Sequence, residues 1–473
     1  MLTLKMKALS YQAALAYLDH YINYERERPA ALAPGTFDLA RMEALLADLG
    51  DPHCRYGVVH VAGTKGKGSV CAMIESVLRL AGFRTGLYTS PHLHTFRERV
   101  RVGGQAIAPD EMAALVDEMA PHAEAIPGLT WFEFVTALAL LYFARREVEV
   151  AIVEVGLGGR LDATNVVSPL LSVITSLSLD HTAWLGETLA QIAAEKAGII
   201  KPGRPVVSAP QSLEALRVIE SRCAQLESAL TLVGREWRFE PGAISTEGQS
   251  FYVTPPGQSR RLGLPSEHAS FFIGLLGQHQ VLNAVVALAS LAHLGSMGLH
   301  VSPRHIREGL AGVWWPGRLE VLSREPLVVC DGAHNGDSAR CLAAALREHF
   351  PGRRWTLIFG ASSDKDLGAM LDVLAPFAGR VLATRTRHSR AAEPELLASL
   401  VRERGADVEV ATSVPDALAL ALAQPGEQAG VIATGSLFVA AEARETWAQR
   451  SGRPLPETDD MGADLPRPKG GIC

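Results

Sequence analysis

Paired cysteines are missing from this sequence. Its six cysteines stand at positions 54, 71, 223, 330, 341 and 473, and none forms a C-x-x-C pair. That spacing excludes zinc ribbons and thioredoxin-type exchange, and it suits a reducing, cytoplasmic compartment. A basic excess is missing as well. The 45 lysines and arginines face 51 acidic residues, for a net charge of −6. No domain-wide positive field exists to neutralise a nucleic-acid backbone, so no nucleic-acid partner is expected. A small acidic substrate would need a local positive pocket instead. Long apolar runs are absent too. The longest, about Val135 to Ala144, is far shorter than a membrane span, so no membrane partner is expected. The N-terminal stretch MLTLKMKALSYQAALAYLDHY is interrupted by Tyr11, Gln12 and Asp19. It reads as an amphipathic helix and not as a leader. No repeat of solenoid period is found.

What is present is the composition of an ordinary globular protein: 473 residues, 48% hydrophobic and 20% charged. That length leads us to expect two or three domains, with a core large enough to need no disulfide or structural metal. Apolar runs alternate with helical patterns. GVVHVAG, RTGLYTS, VEVAIVEVG and LLSVITS read as buried strands. Helices are expected at Ser69 to Leu80, near 110–125 and near 130–146. This alternation predicts an α/β fold with a parallel sheet. A Gly/Pro-rich interval, Gly234 to Ser270, predicts irregular or antiparallel β structure, and a long helix follows from Gln278 to Leu294. The pattern changes near Val313–Gly317. Strand–helix alternation then restarts with PLVVCDG, RRWTLIFG, GRVLAT and GVIATGS, each followed by a helix, the last ending near Gln449. We therefore expect an N-terminal P-loop ATPase-type parallel-sheet domain over 1–312 and a linker over 313–318. A smaller C-terminal Rossmann-like α/β domain should cover 319–450, followed by a disordered tail over 451–473.

The stretch HVAGTKGKGSV, His60 to Val70, joins an expected strand to an expected helix. That context marks a phosphate loop, whose glycines turn backbone N–H groups toward phosphate oxygens at a helix N-terminus. The common spacing places Ser or Thr directly after the lysine, whereas here Gly68 intervenes between Lys67 and Ser69. In EVGLGGRLDATN, Glu154 ends a buried strand before a Gly-rich turn, at the edge where α/β sheets bind ligands, and is a candidate Mg²⁺ ligand. Asp180 and His181, in SLSLDHT, should emerge at the same edge. Ser90, in YTSPHLHTFRERVRV, could supply a hard oxygen. Arg97, Arg99 and Arg101 alternate there, as on a solvated strand face. Lys196 lies in the apolar stretch AAEKAGI, and by itself reads as a lysine that snorkels to solvent. After the boundary, PGRLE and CDGAHN set Arg318, Asp331, His334 and Asn335 at a second sheet edge. This arrangement suggests ATP in an interdomain cleft.

Taken in order, GTKGKGS, YTSPHL, EVGLGGRLDATN, SLDHT, EKAGI, GQHQVLNA, PGRLE, DGAHN and TGSLFVAAEAR resemble the folylpolyglutamate synthases, often also dihydrofolate synthases, of the Mur ligase superfamily. The resemblance runs from about Leu15 to Glu442, and G-K-G-[ST] is the family's form of the loop. It implies that Gly66, Lys67, Gly68, Ser69, Asn283, Arg318, Asp331 and His334 bind ATP. Ser90, Glu154, His181 and a carbamylated Lys196 would hold Mg²⁺, as two ions. Lys67, His181 and Lys196 would carry the catalysis. Asp38, Leu39, Thr130, Trp131, Phe132, Glu133, Leu161, Asp162 and Ala163 would contact the pteroate. The implied reaction activates a folate or dihydropteroate carboxylate with ATP as an acyl phosphate, which L-glutamate then captures. A monomer is expected. Cell-wall ligases of the same superfamily share the loop but carry an extra N-terminal domain, and only about 55 residues precede the loop here. A non-catalytic nucleotide switch would not explain the converging metal ligands.

Overall fold

The computed structural model describes residues 9–25, 37–256, 262–264, 268–423 and 429–459. The chain divides into two compact units. One takes the chain up to Pro91 together with Arg97–Trp315, and the other takes His92–Phe96 together with the chain from Pro316.

The first unit is built on an eight-stranded sheet. Its strands are β1 (Gly57–Ala62), β2 (Thr85–Tyr88), β3 (Val100–Val102), β4 (Gln105–Ala106), β5 (Val150–Glu154), β6 (Leu171–Ile174), β7 (Val206–Ser208) and β8 (Leu230–Leu232). Their order is β4-β3-β2-β5-β1-β6-β7-β8. The run from β2 to β8 is parallel, and β3 and β4 add an antiparallel edge. Val58, Val59, Val61 and Ala62 of β1 are all buried, as a central parallel strand covered on both faces requires. Val61 pairs with both Glu154 and Val173, so β1, β5 and β6 end at one edge. The helix Gln278–Ser296 packs on the helix Lys67–Leu80 and closes the core beside that edge.

The Gly/Pro-rich interval resolves as the antiparallel alternative. β9 (Arg238–Ile244), β10 (Gln249–Thr254) and β11 (Ala269–Ile273) form a three-stranded sheet. Phe251, Val253, Phe271 and Ile273 face the core, while Tyr252 and Phe272 stay exposed, which is the period of two expected of a half-buried sheet.

The second unit is a six-stranded sheet of β12 (Glu320–Arg324), β13 (Leu327–Cys330), β14 (Arg354–Phe359), β15 (Ala378–Ala383), β16 (Val408–Val410) and β17 (Ala429–Thr434). The order is β12-β13-β17-β14-β15-β16, with only β12 antiparallel. The four runs read as strands are β13, β14, β15 and β17, its buried centre. The edge strands β12 and β16, which the hydropathy pattern does not reveal, are partly exposed.

The tail expected to be disordered is hydrogen-bonded at its start, and residues 460–473 lie outside the described residues. Arg453 donates to the Leu322 carbonyl at 3.0 Å. The Asp459 carboxylate accepts from Thr95 Oγ1 at 2.9 Å and from the Phe96 amide at 2.5 Å, and its own amide donates to the His94 carbonyl at 3.2 Å. The Asp459 bonds tie the loop after Ser90 and Pro91 to the described start of the tail. Asp459→Ala should cost about 1–3 kcal/mol, the range for hydrogen bonds to a charged group. It should also speed hydrogen exchange at the Phe96 amide, and unchanged protection there would contradict the contact.

Candidate active site

The phosphate loop begins where β1 ends. Gly63 lies so close to β6 that a Cβ would stand 1.8 Å from Thr175 Oγ1. The Thr64 and Lys65 amides both donate to the Ser176 carbonyl, at 3.0 and 3.1 Å. Gly66 takes the left-handed conformation, φ 88°, that a side chain disfavours, and it starts the helix Lys67–Leu80. It supplies no capping side chain, so the first-turn N–H groups suit a phosphate. A Cβ on Gly66 would meet Asn283 Oδ1 at 2.3 Å, and one on Gly68 would meet the Trp315 ring at 3.1 Å. The loop is thus bordered by Asn283 and by Trp315, the second of which the sequence does not single out.

The two lysines of the loop separate in role. Lys65 Nζ is 3.2 Å from Asp180 Oδ2. Lys67 Nζ points to the strand ends, where Glu154 Oε1 is 4.0 Å away. The other Glu154 oxygen accepts the Ser90 amide at 3.2 Å. Ser90 and Glu154 therefore lie side by side at the C-terminal edge of β2 and β5. His181 has a left-handed backbone, φ 51°, starts the short helix Thr182–Leu185 and stacks on Trp184, with ring centroids 6.5 Å apart. Its Nε2 is 3.8 Å from Asp180 Oδ1. Among the described residues no three His, Cys, Asp or Glu side chains gather as a ready metal cage. A buried carboxylate beside a serine nevertheless fits Mg²⁺, which binds through one or two carboxylates and keeps phosphate and water as its other ligands.

Lys196 does not snorkel. It sits in the helix Leu189–Ala197 with 5% of its surface exposed, and its Nζ donates to the Gly63 carbonyl at 3.0 Å. Burial, reinforced by the positive charge of Lys67, pushes its pKa down to about 7. Near neutral pH much of it is therefore an uncharged amine. The Gly-rich turn after β5 is what lets this helix approach: a Cβ on Gly159 would stand 2.7 Å from the Glu195 carbonyl and 3.0 Å from Lys196 Cα.

The expected pteroate residues come together from three distant segments. Asp38 caps the helix Leu39–Asp48, Thr130 caps the helix Trp131–Arg145, and Asp162 caps the short turn Ala163–Val166. These elements pack on one another. Leu161, just before that turn, is half-buried, while Asp162 and Ala163 are buried. A Cβ on Gly156 would meet the Phe132 ring at 2.4 Å, so Phe132 covers the Gly-rich turn. Glu133 has structural duties. Its carboxylate accepts the Thr130 amide at 2.7 Å and pairs with Arg41 at 2.8 Å, joining two helices.

Arg99 corrects the solvated-face reading of the FRERV arginines. β3 begins at Val100, so Arg99 lies in the turn Phe96–Arg99 and not on a strand face. It is 2% exposed, grips Glu25 with two nitrogens at 3.0 and 2.6 Å, and stacks 4.8 Å over the Trp131 ring. Arg101, half-buried, lies 5.7 Å over Trp315. Nothing in the local pattern distinguishes these two from Arg97.

In the second unit, Asp331 follows β13. Its oxygens accept the Leu319 amide at 2.7 Å and the Ala333 amide at 2.8 Å. That bond holds Leu319 in a left-handed conformation, φ 43°, which a branched side chain rarely adopts. Burial raises the Asp331 pKa, and the Arg318 charge opposes the rise. Arg318 lies against Gly332, where a Cβ would stand 2.7 Å from its Nη1. His334 Nδ1 is 2.9 Å from the Gly332 carbonyl, and Asn335 caps the helix Gly336–His349. Arg318 thus packs against the turn that carries Asp331 and His334.

Residues 61–291 match the Mur ligase middle domain, and residues 317–437 match the Mur ligase glutamate ligase domain. A Bacillus subtilis dihydrofolate synthase/folylpolyglutamate synthase is 39% identical over 355 residues, covering 72% of this chain and 79% of that protein. This chain belongs to the folylpolyglutamate synthase family of Mur ligases. A Haloferax volcanii family member described as a probable bifunctional folylpolyglutamate synthase/dihydropteroate synthase is 40% identical over 88% of this chain. The chain spans about half the length of that relative, 49%. The folylpolyglutamate synthase fold is equally plain in three dimensions. An Escherichia coli FolC structure in complex with DHPP and ADP superposes with a TM-score of 0.81 at 30% identity, covering 94% of this chain and 99% of that one. Among the described residues no helix is long and apolar enough to cross a membrane.

Proposed function

We propose that this protein is an ATP-dependent ligase that adds L-glutamate to folates and also converts dihydropteroate to dihydrofolate. The observation that carries the reading is the shared edge of β1, β5 and β6, with Lys67 and Glu154 side by side beyond a loop only glycine can form. ATP is the phosphoryl donor. Its phosphates lie on the first turn of the helix Lys67–Leu80, with Gly66, Lys67, Gly68 and Ser69 around them and Asn283 against the loop. Arg318, Asp331 and His334 are the residues of the second unit assigned to ATP. The substrate carboxylate attacks the γ-phosphorus, ADP leaves, and an acyl phosphate forms. The glutamate amine then attacks the acyl carbon and phosphate departs. Lys67 offsets negative charge as the two anions meet.

Ser90, Glu154 and His181 would hold one Mg²⁺, and a carbamylated Lys196 with His181 a second. When bound, these ions supply further charge neutralisation at the transferring phosphoryl group. The neutral Lys196 amine is the form that adds CO₂, losing a proton to become a carbamate. Asp38, Leu39, Thr130–Glu133 and Leu161–Ala163 surround the pteroate. One chain supplies every residue invoked, so a monomer suffices. The five described cysteines form no disulfide, which suits a cytoplasmic enzyme.

The purified protein, given ATP, Mg²⁺ and glutamate, should release ADP with either tetrahydrofolate or 7,8-dihydropteroate. Release with tetrahydrofolate alone would remove the dihydrofolate synthase half, and release with neither would remove the reading.

A further inference from the structure

One buried histidine is unused by this mechanism. His60 lies in the middle of β1, fully buried, between Val59 and Val61. A sheet centre gains nothing from an imidazole, and among the described residues this one's Nδ1 has no hydrogen-bond partner. A buried orphan of that kind costs about 1–3 kcal/mol. Its other nitrogen, Nε2, is 2.8 Å from Thr164 Oγ1, which is itself 2.5 Å from Asp162 Oδ1.

The direction of this chain of bonds is settled by proton counting. The Asp162 carboxylate only accepts, so the single hydroxyl proton of Thr164 goes to Asp162. His60 Nε2 must then be the donor to Thr164. Burial holds the imidazole pKa down to about 3, so His60 stays neutral and keeps that tautomer through the physiological range. Asp162 Oδ1 also accepts the Thr164 amide at 3.0 Å, and Oδ2 accepts the Leu157 amide at 2.8 Å. Each carboxylate oxygen offers two lone pairs. Oδ1 is filled by these bonds, and Oδ2 keeps one acceptor position. The arrangement leaves one acceptor position, on Oδ2, and holds the rest of the carboxylate in place.

We propose that Thr164, backed by His60, is a positioning residue for the pteroate: it locks Asp162 so that Oδ2 accepts an N–H of the pteridine ring. This rests on the reading of Asp162 as a pteroate contact.

Thr164→Val should raise the pteroate KM about tenfold or more, the effect of losing a hydrogen bond to a charged group. The KM values for ATP and glutamate should stay within about twofold, since other segments hold them. Thr164→Ser, which keeps the hydroxyl, should restore the pteroate KM. His60→Leu, which leaves Thr164 without its donor, should raise it less than Thr164→Val does. A pH profile gives an independent readout. Burial raises the Asp162 pKa, and the Thr164 hydroxyl and the backbone amides oppose the rise. Without that hydroxyl the pKa rises further, so loss of pteroate affinity on acidification should begin at higher pH in Thr164→Val. Lys67, Lys196 and Tyr88 also face Asp162 and are unchanged in these variants.

Asp162→Asn separates the two ideas. If it raises the pteroate KM while Thr164→Val does not, the positioning role is overturned and the contact stands. If Asp162→Asn leaves the pteroate KM unchanged, the contact reading fails and the proposal with it. Should Thr164→Val not fold, Thr164→Ala and His60→Leu in the same assay decide, a pteroate KM unchanged in both overturning the proposal.

Discussion

Lys67→Ala should lower ADP formation about 10³-fold, as expected when a positioned charge on a transferring phosphoryl group is removed. The fold should survive. Lys67 is the first residue of its helix, where alanine is well tolerated, and its nearest carboxylate, Glu154, stands at 4.0 Å. The melting temperature should therefore move by no more than about 3 °C. The adjacent lysine is the control. Lys65 is paired with Asp180 at 3.2 Å, so Lys65→Ala should disturb the loop and ATP affinity without a comparable loss of turnover at saturating ATP. Near-normal turnover in Lys67→Ala, or equal losses in the two variants, would contradict the assignment of the loop.

Lys196→Ala should lose activity about 10²–10³-fold, and millimolar acetate should restore part of it. The reasoning starts from the buried amine. A permanently charged ammonium could not sit at 5% exposure with one carbonyl partner without cost, and its pKa is down to about 7. Alanine leaves a gap beside Gly63 that a small carboxylate can enter, in place of the carbamate. No rescue by acetate, formate or propionate would argue against a carboxylate-like role.

The same shift predicts a pH effect on stability. The folded-state pKa lies below the unfolded value of 10.5. Between about 7 and 10.5 the unfolded chain binds more protons, so stability rises with pH across that window, by on the order of 5 kcal/mol. Below pH 7 both states are protonated and the full cost of burying the charge remains. Without Mg²⁺ and in CO₂-free buffer, Lys196→Met should lack this slope, and a slope equal to that of the unsubstituted protein would exclude Lys196 as its source.

Much of this architecture is written locally. Central parallel strands are buried on both faces, so β1, β5 and β6 appear as mostly apolar runs, broken by His60 in β1, Ser172 in β6 and Glu154 at the end of β5. Gly63, Gly66 and Gly159 stand where another backbone or side chain leaves no room for a Cβ. The edge strands β12 and β16 are half-solvated, so their hydropathy carries little signal. Arg99 was illegible for a different reason. Its burial depends on Glu25 and Trp131, which lie 74 positions before it and well after it in the chain. No window of neighbouring residues contains that information. Trp315 against Gly68 and Asp459 against Phe96 are contacts of the same kind.

The sequence by itself determined the α/β class, the strand–loop–helix unit at Lys67 and the family, because each depends on short-range backbone requirements and on ordered motifs. Only the tertiary structure decided what individual polar side chains do. It buried Lys196 and turned it into a near-neutral amine, withdrew Arg99 from solvent, and lined up His60, Thr164 and Asp162 behind one carboxylate oxygen. Protonation and hydrogen-bond direction follow from desolvation and from the partners within reach. Both are properties of packing, and packing joins residues that the chain keeps far apart.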